Sequence, residues 1–167
     1  MSQNHELVLD VKNLAISYQT RKGLLPAVRG VNFSIGRGQT VGLVGESGCG
    51  KSTIAFGLVN FLGVNGRITE GSVHFLNQEM VGKDSQALRK IRGNQISVVY
   101  QDPMQSLNPT LQIGNQMTEV LTYHQPISRE EAMERSLAML RRVYMPDPKR
   151  VMRRYPHQLS GGQQQRV

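Results

Sequence analysis

Eight consecutive residues, Gly45 to Ser52, have the composition and spacing of a loop that binds phosphate. They read Gly-Glu-Ser-Gly-Cys-Gly-Lys-Ser and match the pattern G-x-x-x-x-G-K-[ST]. Glycines permit the tight turns and close approach that allow consecutive backbone N–H groups to surround a phosphate. A lysine adds a full positive charge, and a serine hydroxyl can ligate Mg²⁺. The string therefore predicts binding of a nucleoside triphosphate together with Mg²⁺.

Each position of this loop has an expected role. We expect Lys51 to reach the β- and γ-phosphates, Ser52 to ligate Mg²⁺ and Thr53 to help bind the neighbouring phosphate. The remaining positions are expected to line the nucleotide: Gly45, Glu46, Ser47, Gly48, Cys49 and Gly50. Cys49 is either simply small enough for its position or a thiol made reactive by an electropositive loop. The alternative is a glycine-rich turn before an ordinary helix, which does not account for four fixed residues in one string.

A second short string, Leu159 to Gln163, has a related composition. It reads Leu-Ser-Gly-Gly-Gln. A serine and two glycines at the start of a helix can form another anion-binding cradle. The alternative is a helix that begins after Pro156 and is merely capped by Ser160. A chain with two such cradles has one more than its own nucleotide needs.

This second string resembles the signature of ATP-binding cassette (ABC) proteins. The resemblance implies that its polar and glycine residues contact the ATP held by a second cassette in a head-to-tail dimer, either a homodimer or a heterodimer. These residues are Ser160, Gly161, Gly162 and Gln163. It also implies that Tyr18 stacks on adenine and that Gln101 touches Mg²⁺ and the attacking water, so that Lys51 and Gln101 act in catalysis. The alternatives are a core tyrosine and a polar strand end.

Three further segments resemble the oligopeptide, dipeptide and nickel importer branch of that family. They are Val99 to Thr110, Leu88 to Gly93 and Tyr155 to Gln158. This resemblance implies an ATPase subunit that couples ATP hydrolysis to import of peptides, nickel or a similar small solute. It implies a peripheral position on the cytoplasmic face of the inner membrane. The implied partners are integral-membrane permease subunits, a second cassette and, indirectly, a solute-binding protein, without nucleic acid.

Two other classes of function remain open on the sequence. A soluble ABC-type ATPase of DNA repair or translation would have the same ATP chemistry without a membrane partner. Such proteins usually carry large insertions, zinc-binding cysteines or tandem cassettes, and a chain with one cysteine and compact spacing argues against them. The second class is a regulator that binds nucleotide without hydrolysing it.

Composition limits the possibilities further. The 167 residues suit about one domain, and 38% hydrophobic with 19% charged residues indicates a folded chain. No apolar stretch reaches the roughly 20 residues that a membrane-spanning helix needs, and we expect no secretory signal. The net charge is +8, and Lys149 to Val167 holds five basic residues and no acid. Without interleaved aromatic residues, this segment is interpreted as a solvated helical face and not as a nucleic-acid site.

Hydrophobic periodicity predicts the elements that position these motifs. Predicted strands are Leu7 to Val11, Leu14 to Tyr18, Ala27 to Ile35, Thr40 to Val44, Gly71 to Leu76 and Ile96 to Tyr100, with a turn at Lys12-Asn13. Predicted helices are Ser52 to Leu62, Ser85 to Arg92, Leu111 to His124, Ser128 to Tyr144 and Asp147 to Arg154. Ser128 and Glu131 have the spacing of a capping box.

The predicted fold class is α/β, a P-loop NTPase of the ABC cassette type. It would combine an N-terminal antiparallel β subdomain, a RecA-like parallel-sheet core that is incomplete in this chain, and a helical subdomain. Residues 1–101 would form the β subdomain and the phosphate-loop core, and residues 102–167 the helical subdomain. The change in composition lies near Asp102 to Asn108.

Family features expected after the signature are not found within these residues. No acidic residue follows Asp147, and none of the histidines has the position of the family's γ-phosphate contact. We therefore expect this chain alone to bind ATP at most and not to be a competent ATPase. The strand at Thr40 to Val44 would lack a neighbour, so we expect the stretch to be unstable alone or to belong to a longer polypeptide.

Overall fold

The computed structural model describes residues 6–100, 102 and 106–167, and it divides into two compact units. The first unit runs to Arg92 and the second from Gly93 to Val167. Gln101 lies outside the described residues, so its role at Mg²⁺ and water stays a prediction. Within the described ranges, no helix combines the length and the apolar composition that crossing a membrane would require.

An antiparallel sheet of four strands forms the base of the first unit. The strands are β1 (Leu7–Thr20), β2 (Gly23–Gly36), β3 (Gly66–Phe75) and β4 (Gln78–Glu79), in the order β2-β1-β3-β4. The central strand β1 pairs antiparallel with both β2 and β3. This sheet confirms the predicted N-terminal antiparallel part of the fold.

Strand β1 is continuous, so the turn predicted at Lys12-Asn13 is wrong. Asn13 has φ 48° inside the strand, and the pairing with β2 shifts register between Val11 and Leu14. Such a bulge inserts one extra residue, so the side chains that follow it point to the opposite face of the sheet from the one that regular alternation would give. Val11 and Leu14 are consequently both buried although an even alternation would separate them. The two short strands that the sequence predicts on either side of Lys12-Asn13 are therefore one strand with a bulge.

Two helices lie among the described residues of the first unit. Helix α1 spans Lys51–Leu58, and helix α2 spans Ser85–Ile91 with Asp84 as its cap, where Oδ1 accepts from the Ala87 N–H at 2.7 Å. The helix predicted to reach Leu62 therefore ends earlier. Asn60 adopts a left-handed conformation with φ 50°, and this ends the helix.

Two predicted buried strands, Thr40 to Val44 and Ile96 to Tyr100, are wrong for this structure. Neither segment is part of a strand among the described residues. The exposed fraction of Val44 is 97% and that of Val99 is 94%. A parallel strand needs hydrogen-bonding neighbours on its edges, and the described part of the chain pairs no strand with either segment. The apolar pattern predicted both segments as strands, but it does not show whether a neighbouring strand is present to form hydrogen bonds with them.

The second unit is helical. Its elements are α3 (Ile113–His124), α4 (Arg129–Arg142), α5 (Pro148–Met152), a 3₁₀ turn (Pro156–Gln158) and α6 (Gly161–Arg166). A buried core joins these elements: Ile113, Leu140, Met145, Val151, Met152 and Leu159. Ser128 Oγ accepts from the Glu131 N–H at 3.1 Å, which confirms the cap of α4, while the Glu131 carboxylate pairs with Arg135 Nη2 at 2.6 Å.

Candidate functional site

The predicted phosphate loop lies immediately before helix α1. Gly48 and Gly50 have φ values of 80° and 99°, which favour glycine. A Cβ atom at Gly50 would lie 2.9 Å from the Ala27 carbonyl oxygen, so the loop approaches β2 closely at this point. The loop is otherwise exposed from Gly45 to Cys49. The glycines thus give the backbone a tight path and leave its outer side open.

Lys51 folds back over this loop. Its Nζ donates to the Gly45 carbonyl oxygen at 2.8 Å and to the Glu46 carbonyl oxygen at 2.6 Å. The same nitrogen lies 3.5 Å from Cys49 Sγ. The ammonium group is therefore held against the loop backbone by neutral acceptors. An anionic phosphate oxygen is a stronger acceptor for a charged donor than these carbonyls are.

The start of helix α1 favours an anion. The helix has no acidic residue in its first turn, and Gly50 provides no side chain to cap its N–H groups. Unpaired N–H groups and the helix dipole give such an end a partial positive charge. Ser52 is exposed in the first turn, and Thr53 is half-buried beside it. This set of donors and hydroxyl groups fits a triphosphate with a bound Mg²⁺.

Tyr18 lies in β1 and is half-buried. Its ring packs closely against the backbone of Gly66, where an added Cβ atom would lie 2.8 Å from Tyr18 Cε1. Gly66 is the partner of Tyr18 in the pairing of β1 with β3. The ring therefore lies beside the backbone of β3, and adenine stacking by Tyr18 stays a prediction.

The signature residues form the start of helix α6 in the second unit. The Gln163 side-chain oxygen accepts from the Ser160 N–H at 3.1 Å, and the Ser160 carbonyl accepts from the Gln163 N–H at 2.9 Å. Gly161 and Gly162 are exposed, and a Cβ atom at either would meet nothing within 4 Å. Internal packing therefore does not demand glycine here. Open space at these positions suits close approach by a ligand from outside the unit.

Gln164 supports this helix start, and the sequence interpretation missed it. Its side chain is buried, and Nε2 donates to the Pro156 carbonyl at 2.7 Å and to the Leu159 carbonyl at 3.3 Å. Three consecutive glutamines, residues 163–165, give no periodic signal that distinguishes the buried one. A helical projection from Leu159 would place residues 162 and 163 on its face and not residue 164, so no periodic signal marks the buried glutamine.

Arg166 is a second support that the sequence did not indicate. Its Nε donates to the Gly162 carbonyl at 3.1 Å and its Nη1 to the Tyr144 carbonyl at 3.0 Å. Arg166 is exposed, as the interpretation of a solvated basic face expects. Its contacts also tie helix α6 to the segment that follows α4.

Comparison with known proteins agrees with both motifs. Residues 28–167 match the ABC transporter family. The matched range contains the phosphate loop before α1 and the helix start at Ser160. This chain belongs to the ABC transporter family.

Curated relatives with high similarity are named oligopeptide or dipeptide transport ATP-binding proteins. The chain is 46% identical over 165 residues to the oligopeptide transport ATP-binding protein OppD of Escherichia coli, covering 99% of this chain and 49% of that protein. It is 42% identical over 163 residues to the dipeptide transport ATP-binding protein DppD of Bacillus subtilis, covering 97% of this chain and 49% of that protein. The chain thus spans about half the length of these curated relatives.

A solved structure has the same fold. It is the dimeric post-hydrolysis state of the ATP-binding cassette MJ0796 bound to ADP and Pi, with a TM-score of 0.78 and 32% identity. The similarity covers 95% of this chain and 66% of that one. The predicted fold class, a P-loop NTPase of the ABC cassette type, is confirmed.

Proposed function

We propose that this chain is the ATP-binding part of a subunit that drives an ABC importer for oligopeptides or dipeptides. The observation that carries the proposal is the position of Lys51 Nζ on the carbonyl oxygens of its own loop, at the start of a helix without an acidic first turn. The names of the relatives described above, oligopeptide and dipeptide transport ATP-binding proteins, support the cargo class.

Lys51 is the group that would exchange partners when ATP binds. Its ammonium leaves two neutral carbonyl acceptors and donates to charged phosphate oxygens, which form stronger hydrogen bonds. The Ser52 hydroxyl would hold Mg²⁺, which supplies charge neutralisation for the β- and γ-phosphates. Thr53 and the loop backbone would bind the remaining oxygens, and Gln101 would orient the attacking water.

The helix start at Ser160 would bind the nucleotide of a second cassette and not the nucleotide of its own phosphate loop. Ser160, Gly161, Gly162 and Gln163 would bind the triphosphate held by a second cassette, because the described part of the chain offers a second helix start without an acidic first turn besides the phosphate loop. The dimeric cassette with the same fold supports this arrangement. Closure of two cassettes on ATP would move the permease subunits at the cytoplasmic face of the membrane, and hydrolysis would reset the dimer.

Substitution of Lys51 tests nucleotide binding directly. In the polypeptide that the complete gene encodes, Lys51→Ala should weaken binding of a fluorescent ATP analogue with Mg²⁺ by about 100-fold, the equivalent of roughly 2.7 kcal/mol. Lys149→Ala is the control, since it removes the same charge from α5 in the other unit. Equal affinity of Lys51→Ala and the parent protein would refute the assignment of this loop.

The second candidate, a soluble ABC-type ATPase of DNA repair or translation, is not favoured. The relatives are transport proteins by name, and one of them is a probable peptide ABC transporter ATP-binding protein from Sinorhizobium fredii at 39% identity. Fractionation separates the two candidates. Recovery of the protein with membranes only when the permease genes are co-expressed would support the importer. The same recovery with and without the permease genes would contradict it.

A further inference from the structure

Helix α1 has no cation of its own at its C-terminal end. The last carbonyls of a helix lack partners within it and carry a partial negative charge, which a nearby cation stabilises. The last turn of α1 contains no basic residue. A pair of hydrogen bonds closes the end, from the Asn60 N–H to the Gly57 carbonyl at 2.9 Å and from the Phe61 N–H to the Phe56 carbonyl at 2.8 Å. The carbonyls of Val59 and Asn60, which follow the last helical residue Leu58, are available to a donor from outside the helix.

Arg92 from the end of helix α2 satisfies both. Its Nε donates to the Val59 carbonyl at 2.7 Å, and its Nη2 donates to the Asn60 carbonyl. The guanidinium carbon also lies 5.5 Å from the centre of the Phe61 ring, within the range of a cation–π contact. Burial lowers the pKa of Arg92, which indicates that the charge is partly shielded from water. Shielding strengthens its interaction with the helix end.

The backbone of the same residue ends helix α2 and the first unit. The Arg92 N–H donates to the Leu88 carbonyl at 2.9 Å, and the division between the two units falls directly after Arg92. Its neighbours Arg89 and Lys90 are exposed. One residue thus joins the end of α2 to the end of α1 within the first unit.

We infer that Arg92 is a positioning residue for the phosphate loop, fixing the end of the helix whose first residue is Lys51. Helix α1 has eight residues and is only about 12 Å long, so a fixed end limits how far its start can tilt. Gly57 lets the last turn of the helix approach β1, where an added Cβ would lie 2.5 Å from Ile16 Cδ1. The inference rests on the proposed ATP-binding function of this loop.

The experiment compares Arg92→Ala, Arg92→Lys and Lys90→Ala in the polypeptide that the complete gene encodes. Titration with a fluorescent ATP analogue and Mg²⁺ gives both the Kd and the number of sites per chain, at a temperature where circular dichroism shows each protein folded. Arg92→Ala should raise the Kd about fivefold or more without changing the number of sites. Arg92→Lys should recover most of the affinity, because an ammonium can donate to the same carbonyls. Lys90→Ala should stay within about twofold of the parent.

Each other result has a defined meaning. A parental Kd for Arg92→Ala would overturn the inference, and so would a loss of sites with an unchanged Kd, since that pattern reflects unfolding alone. A parent protein that binds no ATP would refute the proposed function itself. If Arg92→Ala does not fold, Arg92→Gln replaces it, because it keeps a donor without the charge. The same rise in Kd supports the inference, and a parental Kd overturns it.

Discussion

Gln164 is a single polar side chain whose hydrogen bonds decide the geometry of the signature helix. It is buried, and its Nε2 donates to the carbonyls of Pro156 and Leu159. A buried carbonyl that loses its partner carries a desolvation penalty. The start of helix α6 therefore depends on a residue outside the five-residue signature string.

Removing that amide should destabilise the second unit. Gln164→Leu keeps the volume but leaves two carbonyls without this donor, and we expect a loss of about 1–3 kcal/mol in the free energy of unfolding. Gln165→Leu is the matched control, because residue 165 is exposed on the same helix. Urea denaturation followed by circular dichroism measures both. Equal stability of the two variants would show that the buried amide contributes nothing.

Sequence analysis identified the site residues that belong to a known motif. It missed the residues whose role depends on contacts with distant parts of the chain. Lys51 and Ser160 are identified by their neighbours in the chain. Arg92 reaches carbonyls 32 and 33 residues away, and Arg166 reaches one 22 residues away. Such contacts depend on how elements pack, and the sequence around an exposed-looking arginine does not encode them locally.

At the scale of elements, the close pairing of β1 with β3 depends on Gly71. Gly71 has φ 86°, and an added Cβ atom would collide with the carbonyl oxygens of Lys12 and Asn13 at the bulge of β1. The bulge that keeps Val11 and Leu14 on one side thus needs a glycine opposite it. The two irregular positions compensate each other across the strand pair.

Alanine substitution at this position should damage the sheet. Gly82 has a similar φ of 78° but nothing within 4 Å of an added Cβ, so Gly82→Ala measures the backbone cost alone, about 1 kcal/mol. Gly71→Ala should cost about 1–3 kcal/mol more, because the carbonyls must also move. Thermal unfolding of the two variants gives the comparison. If Gly71→Ala is as stable as Gly82→Ala, then β1 and β3 can move apart at Gly71 without a loss in the free energy of unfolding.

Strand and helix patterns were predictive where the partner of an element lies in the described chain. Strands β1, β2 and β3 and the helix after Ser128 were identified from alternation, periodicity and a cap. Thr40 to Val44 and Ile96 to Tyr100 have equally apolar patterns and are not strands here. Hydrogen bonding to a neighbour makes a strand, and apolar composition alone does not specify that neighbour.

At the scale of the whole molecule, each unit has its own core and one of the two helix starts that are proposed to bind an anion. The first unit buries the β1 residues Leu14 and Ile16, and the second buries Ile113 and Leu140. The phosphate loop belongs to the first unit and Ser160 to the second. A nucleotide sandwiched between two copies would join opposite units of different chains, and dimerisation would then depend on the nucleotide.

A charge change at the signature should therefore block the dimer while leaving nucleotide binding by each copy intact. Gly161→Glu places a carboxylate in open space at the start of α6, so the fold should be preserved while a triphosphate is repelled. In sedimentation of the full-length protein with a non-hydrolysable ATP analogue, the parent should dimerise and Gly161→Glu should remain monomeric.

The matched control is Gln165→Glu, which adds the same charge to an exposed position one turn along the same helix. It should dimerise like the parent, because helix-end effects on an anion fall off beyond the first turn. Binding of the analogue by monomers should be equal in all three proteins, since the phosphate loop is unchanged. If Gly161→Glu dimerises as well as Gln165→Glu, the second anion cradle does not face a partner's nucleotide, and nucleotide sharing between copies must be abandoned.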